Sequence, residues 1–138
     1  MNQTIIAIDP GREKCGIAVV HKPKGVLTQQ VINTGQLNSL IQKLSADYNT
    51  STVVIGDRTS SKEARSNLEQ LRIDGQPLTI FLVDEHRSTD QARLRYWQAN
   101  PPQGLKRLIP VTMQVPPKPV DDYVAVILAE RYFDKQEI

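Results

Sequence analysis

The sequence predicts an α/β protein: a mixed five-stranded sheet, antiparallel hairpins first and parallel strands after them, flanked by helices. Three observations carry this expectation. Apolar, β-branched runs open the chain in close succession, separated only by turn-sized segments. From residue 37 onward, strand-like runs alternate with apolar stripes at helical spacing, the pattern of crossover units. No segment repeats another, and 138 residues suffice for one core without disulfides or structural metal. Residues 1–138 are therefore read as one domain.

Taken in order, Thr4 to Ile8 is a continuous apolar run rich in Ile, suited to a strand buried on both faces. It stops at Asp9-Pro10-Gly11, a turn signal. Gly16 to Val20 follows closely enough to close a hairpin. His21 to Gly25 forms the next turn. Val26 to Ile32, apolar at both ends and polar in its centre, suits a strand at a sheet edge. Leu37, Leu40, Ile41 and Leu44 then fall at i, i+3, i+4 and i+7, the stripe of an amphipathic helix. Val53 to Ile55 is a fourth strand ending at Gly56. Ser60 with Glu63 fits a capping box, opening a helix with Ala64, Leu68 and Leu71 on one face and ended by Gly75 and Pro77. Ile80 to Val83, a fifth strand, runs directly into Asp84-Glu85. Ser88 with Gln91 matches a second capping box, for a helix reaching about Gln98. Asn100 to Pro119 holds most of the prolines and reads as a surface loop with one extended piece near Leu108 to Val111. A final helix runs from Val120 to about Phe133.

Composition narrows the classes. At 39% hydrophobic and 23% charged, the chain lies in the ordinary globular range. The single Cys15 cannot pair within the chain and excludes a Cys-rich zinc module; it reads as a small packing residue. No apolar run is long enough to span a membrane, so no membrane partner is expected. The first residues, MNQTIIAIDPG, lack the layout of a secretory signal, and a cytoplasmic location is expected. A net charge of +2 says little by itself. Basic residues nevertheless gather in the middle and later chain, from Lys62 and Arg65 to Lys106 and Arg107; any one of them reads equally well as part of a solvated helix face.

Three acids share one feature. Asp9 ends the first strand, Glu85 follows the fifth, and Asp121 begins the last helix. Each has an ordinary explanation alone: a turn residue, a surface acid, a helix N-terminal acid favoured by the macrodipole. Together they gain meaning, because sites in open α/β sheets assemble at strand ends and the loops leaving them. Hard oxygen ligands suit Mg²⁺ or Mn²⁺. Two such ions about 4 Å apart can polarise a phosphodiester and stabilise its attacking and leaving oxygens. Neighbouring Asp121 and Asp122 point about 100° apart on a helix. The stripe of Val124, Ala125, Leu128 and Tyr132 lies on the side of Asp121, which is taken as the inward ligand. Asp57, after the fourth strand, is a reserve candidate.

The segments IAIDPGREKCGIAVV, VDEHRSTDQAR and VDDYVAVILAERYF, in that order, resemble the three signature blocks of the YqgF/RuvX family. These are small proteins of the ribonuclease-H-like superfamily, described as Holliday junction resolvases or pre-16S ribosomal RNA processing nucleases. The first block matches at Asp9, Gly11 and Gly16. The second matches at Asp84, Glu85, Ser88 and Thr89, and the third at Asp121, Ala125, Tyr132 and Phe133. The resemblance covers essentially the whole chain. It implies a ribonuclease-H-like fold and a metal-dependent nuclease in which Asp9, Glu85 and Asp121 are both the catalytic acids and the metal ligands. It further implies Mg²⁺ or Mn²⁺ as cofactor, a structured RNA or branched DNA as partner, and a role in nucleic-acid maturation or repair. Two departures stand out. The family has Arg directly after Asp-Glu where this chain has His86 and then Arg87, and a Gly-Leu-Pro-like loop where it has Gly56-Asp57-Arg58. Arg87 or Arg58 is the substitute if the missing Arg is a phosphate ligand.

A basic rim beside acids is what backbone binding needs, because phosphate contacts position a substrate without reading its sequence. Lys14, Arg58, Lys62 and Arg87 are the candidate nucleic-acid-binding residues, with Arg65 beside them. Tyr96 and Trp97 suit either stacking on an unpaired base or, the simpler reading, anchoring a helix end to the core. His86 is a candidate proton shuttle or metal ligand, and His21 a turn residue. Two other functional classes compete with the nuclease. One is a nucleic-acid-binding module that has lost its chemistry. The other is a phosphotransferase of the actin/hexokinase type, which needs a second phosphate loop that this chain lacks. Junction resolution calls for two active sites and hence a homodimer. No strip of sequence identifies an interface, so monomer and homodimer both stand.

Overall fold

Ile5, Ile6, Ala7 and Ile8 are all fully buried. Consecutive burial of this kind requires a strand covered on both faces. In the computed structural model, which describes residues 3–58 and 61–136, that strand is β1 (Thr4–Asp9), at the centre of the sheet. It is followed by β2 (Lys14–His21), β3 (Gly25–Asn33), α1 (Leu37–Tyr48), β4 (Thr52–Gly56) and α2 (Ser61–Glu69). Next come a small hairpin of β5 (Arg72–Ile73) and β6 (Gln76–Pro77), then β7 (Thr79–Val83), α3 (Ser88–Ala99) and α4 (Asp121–Gln136).

The main sheet has the order β3-β2-β1-β4-β7. The β1–β2 and β2–β3 pairs are antiparallel, and the β1–β4 and β4–β7 pairs are parallel. Side-chain alternation divides the core between the two faces. Ile5 and Ala7 join Val54, Val83 and the apolar side chains of α3 and α4. Ile6 and Ile8 join Ile17, Val53, Ile55 and the apolar side chains of α1 and α2. Helices thus cover both faces of the mixed sheet, as the sequence predicts. The same alternation directs Asp9 to the face covered by α4, because it follows Ile5 and Ala7 by twos. Residues Val124 to Ala129 are buried without a break. The helix therefore buries more of its circumference than the single predicted stripe.

Several local expectations are corrected. The proposed cap Ser60 lies outside the described residues. Helix α2 ends at Glu69, so Leu71 is not on it, although it still packs against the same core. Gly75 and Pro77 belong to the β5–β6 hairpin, whose turn residues Asp74 and Gly75 both take positive φ, of 52° and 80°. That is the backbone a two-residue hairpin turn of right-handed strands demands, and Asp-Gly supplies it at low cost. Ser88 is not a cap. The cap position is Arg87, in the left-handed region at φ 56° with no side-chain cap hydrogen bond, and Ser88 is the first helical residue, fully buried. The Asn100–Pro119 connection contains two 3-10 turns, Gly104–Leu108 and Val111–Met113. Ile109 and Pro110 between them are extended, but they pair with no strand among the described residues. A proline has no N–H for a ladder, which is the physical reason.

Candidate active site

Parallel pairing levels the carboxyl ends of three strands. Ile8 of β1 is opposite Ile55 of β4, Ile55 is opposite Leu82 of β7, and Gly56 is opposite Val83. Asp9 therefore closes β1 at the edge where the chain leaves β7 for Asp84 and Glu85. Both Asp9 and Glu85 are buried, at 9% and 3% exposure. That is rare for acids and requires partners.

Two glycines allow this assembly. A Cβ on Gly56 would run into the Glu85 carboxyl. Its absence lets Glu85 fold over the end of β4. Gly16 is the register partner of Asp9 on β2, and a Cβ there would run into the backbone carbonyl of Asp121. Its absence lets the first turn of α4 rest on β2 beside Asp9. Sequence reading noted both residues as strand punctuation; what they make room for was not legible.

Glu85 is held from several sides. Its backbone N–H donates to Asp57 Oδ1 at 3.3 Å. Its Oε2 accepts the backbone N–H of Arg58 at 3.1 Å and faces the guanidinium Nε of Arg58 at 3.3 Å. Arg58 Nη2 also reaches Thr89 Oγ1 at 3.3 Å. Glu85 Oε1 is buried with no donor from any ordinarily protonated group among the described residues. The Asp9 carboxyl is the neighbour that can supply one. Burial, then the hydrogen bond to Glu85, then the negative charges of Glu85 and Asp121 push Asp9 from 3.8 up to about 8, against a smaller pull from Arg58. Asp9 is thus the acid that holds its proton to unusually high pH, and when protonated it can donate to Glu85. Asp121 is also raised, by partial burial and by Asp122, with Lys14 and Arg58 pulling it back down.

The loop carrying Glu85 is braced from α4. Arg131 donates to the carbonyls of Asp84 and His86, both at 2.7 Å, and to Gln91 Oε1 at 3.2 Å. Sequence reading missed Arg131. The signal was a cation just after the buried run Val124 to Ala129, which is ambiguous without knowledge of the loop it faces.

The structure brings Asp9 and Glu85 into contact and sets Asp121 within electrostatic reach of Asp9. Among the described residues, no three His, Cys, Asp or Glu side chains surround a common point as a finished metal cluster does. Asp122 is turned toward β3, where its Oδ2 accepts from Gln29 Nε2 at 2.9 Å. Asp57 is engaged with the Glu85 backbone. Arg58 sits at the centre of the site, and Lys14 acts on Asp121 from its rim. Lys62 lines an adjoining groove. Arg87 faces Asp90 at 3.8 Å, largely exposed, and among the described residues no ion pair brings it to the carboxyls. His86 is exposed, while Tyr96 is buried and stacks edge-on with Trp97 at 5.1 Å, in the core.

The fold is of the ribonuclease-H-like type. The structure is similar to RuvC of Thermus thermophilus, with a TM-score of 0.54 and 15% identity, covering 96% of each chain. It is also similar to the T. thermophilus RuvC in complex with a Holliday junction substrate, with a TM-score of 0.56 and 12% identity, covering 98% of this chain and 96% of that one. No protein-family model matches the chain, and no curated protein sequence is similar to it.

Proposed function

We propose that this protein is a divalent-metal-dependent endonuclease of the YqgF/RuvX type that hydrolyses phosphodiester bonds in structured nucleic acid. The observation that carries this reading is the pair Asp9–Glu85. Two acids are buried together at the carboxyl end of the sheet, one Glu85 oxygen lacks an ordinary donor, and a third acid adds to the negative field. Buried like charges are costly unless protonated or neutralised by a cation. All the donors are hard oxygens, which fits Mg²⁺ or Mn²⁺.

Asp9, Glu85 and Asp121 would hold the metal, which when bound supplies Lewis-acid stabilisation of phosphodiester oxygens. The chain's own residues do the rest. Gly56, the Asp57 carboxylate and the Arg131 brace hold Glu85 in place. Arg58, half exposed and anchored on Glu85 and Thr89, presents the remaining face of its guanidinium to a phosphate. The likeness to a RuvC that was solved with a Holliday junction supports branched DNA as one substrate class. Structured RNA, as in ribosomal RNA maturation, is the other. A cytoplasmic location accords with these substrates.

The test is cleavage of labelled four-way DNA junctions and structured RNAs in Mg²⁺ or Mn²⁺, by the wild type and by Asp9→Asn. Metal-dependent cleavage by the wild type alone is expected. Equal cleavage by both proteins rules out this site.

One observation favours a second reading, a nucleic-acid-binding module of the same fold with weak or lost chemistry. The Arg58 guanidinium already neutralises one oxygen of Glu85, the place a metal would take. Binding that is indifferent to divalent metal, with no cleavage of any substrate, would favour the module.

A further inference from the structure

We propose that the groove on the α1/α2 side of the sheet is a second, sequence-independent contact for the sugar-phosphate backbone, and that Arg12 and Lys62 are its phosphate-binding residues. This deepens the nuclease reading and rests on it.

The groove has a volume of about 940 Å³, at the upper end of the range of roughly 300–1,000 Å³ for small-ligand sites. Its walls come from the β1–β2 turn, the 3-10 turn after β3, the start of α1, the loop after β4 and α2. Arg58 belongs to both sites: it lines the groove and is ion-paired with Glu85. A strand whose phosphate meets Arg58 can therefore continue into the groove.

The walls are pre-formed where the turn meets β3. Thr34 Oγ1 donates to the Gly11 carbonyl at 2.9 Å, and the Thr34 N–H donates to the Glu13 carbonyl at 2.8 Å. Arg12 is thus carried by a turn tied at both sides. Among the described residues, neither Arg12 nor Lys62 has an ion pair or a side-chain hydrogen bond, and both are exposed. Of the two acids in the lining, Asp57 is occupied by the Glu85 backbone N–H, and Glu63 lies in the first turn of α2, where the helix dipole favours an acid. Asn38 and Asn67 add neutral donors suited to phosphate oxygens. Among the described residues no aromatic side chain lines the groove, so bases find no stacking platform there. Cations and amides without aromatics recognise a backbone and do not read a sequence.

The experiment uses the full chain in EDTA, so that nothing is cut. Fluorescence anisotropy would follow binding to a labelled four-way DNA junction and to a labelled RNA hairpin, over a series of KCl concentrations. For the double variant Arg12→Ala/Lys62→Ala, each lost phosphate contact should lower the slope of log K against log salt by about 0.7–0.9. The expected total is about 1.5, with affinity reduced at least tenfold at low salt. Arg12→Lys/Lys62→Arg, which keeps the charge, should restore the slope. Lys24→Ala/Lys118→Ala, outside the groove lining, should leave it unchanged. A loss on the junction alone or on the RNA alone would name the source of the backbone. An unchanged slope in the double variant, or an equal fall in the Lys24/Lys118 control, overturns the groove while leaving the nuclease standing if the wild type still binds and cuts. A wild type that neither binds nor cuts any nucleic acid overturns the parent reading itself. Displacement of both labelled probes by inorganic phosphate at sub-millimolar concentration would mark a free-anion pocket and also overturn the proposal.

Discussion

Replacing Asp9 by Asn should make the metal-free protein more stable while destroying its response to metal. In the folded chain the Asp9 carboxyl ionises near 8, whereas an ordinary aspartate ionises near 3.8. The folded state therefore binds more protons than the unfolded state between these limits, and stability falls as pH rises from about 4 to about 8. The interval is about four factors of ten in proton affinity, each about 1.36 kcal/mol, which sets a ceiling of about 5–6 kcal/mol above pH 8. Structural relaxation and water entry reduce such penalties, so about 2–3 kcal/mol is the expected loss. Asparagine has nearly the same shape, carries no charge, and offers Glu85 a donor at every pH. The variant should match the wild type below pH 4 and exceed it by about 2–3 kcal/mol at pH 8.5. For a chain of this size that corresponds to about 10 °C in Tm. Urea or thermal unfolding across pH, in EDTA, measures the difference, and titrating groups that do not interact with Asp9 cancel between the two proteins. In saturating Mg²⁺ the order should narrow or reverse, because a ligand at a hundred times its Kd adds about 2.7 kcal/mol to the wild type. A gap that does not widen between pH 4 and pH 8.5, or a variant less stable than the wild type at high pH, refutes the reasoning.

Other perturbations follow from the same geometry. Gly16→Ala forces a Cβ into the Asp121 backbone and should cost about 2–3 kcal/mol, the upper range for overpacking, measured by denaturant unfolding. Gly56→Ala meets first the Glu85 side chain, which can swing away; it should cost less stability yet abolish cleavage, and a fully active Gly56→Ala would contradict the placement of Glu85. Arg131→Ala removes two hydrogen bonds to the loop of Glu85 and one to Gln91 on α3. It should cost about 1–2 kcal/mol and lower kcat at least tenfold with little change in KM. Cleavage at fixed, sub-saturating Mg²⁺ should rise with pH as Asp9 loses its proton, and the midpoint should move to lower pH as Mg²⁺ increases. A pH profile indifferent to metal concentration would count against Asp9 as a ligand.

Much of this molecule could be read along the chain. The Ile-rich run before Asp9, the 3.6-residue stripe of Leu37, Ile41 and Leu44, and the β-branched stop at Gly56 are local patterns. Local patterns report which face of an element is buried, and hence the sheet of strands and covering helices. They also placed Asp9 and Glu85 at element ends. Errors arose where local signals are degenerate. Ser88 with Gln91 has the spacing of a cap, but the chain enters α3 through a left-handed Arg87. The run from Leu108 to Val111 has strand-like residues but lies among prolines, with no partner strand among the described residues.

What the chain alone could not specify was which distant groups touch. Only the parallel register of β1, β4 and β7 buries the Asp9 and Glu85 carboxyls side by side. Only the landing of α4 on Gly16 brings Asp121 near them. Arg58 became central, and Arg87 peripheral, because one loop crosses the end of β7 while the other turns toward Asp90. Periodicity is a property of neighbours along the backbone, whereas the charge state of a buried carboxyl is set by groups tens of residues away.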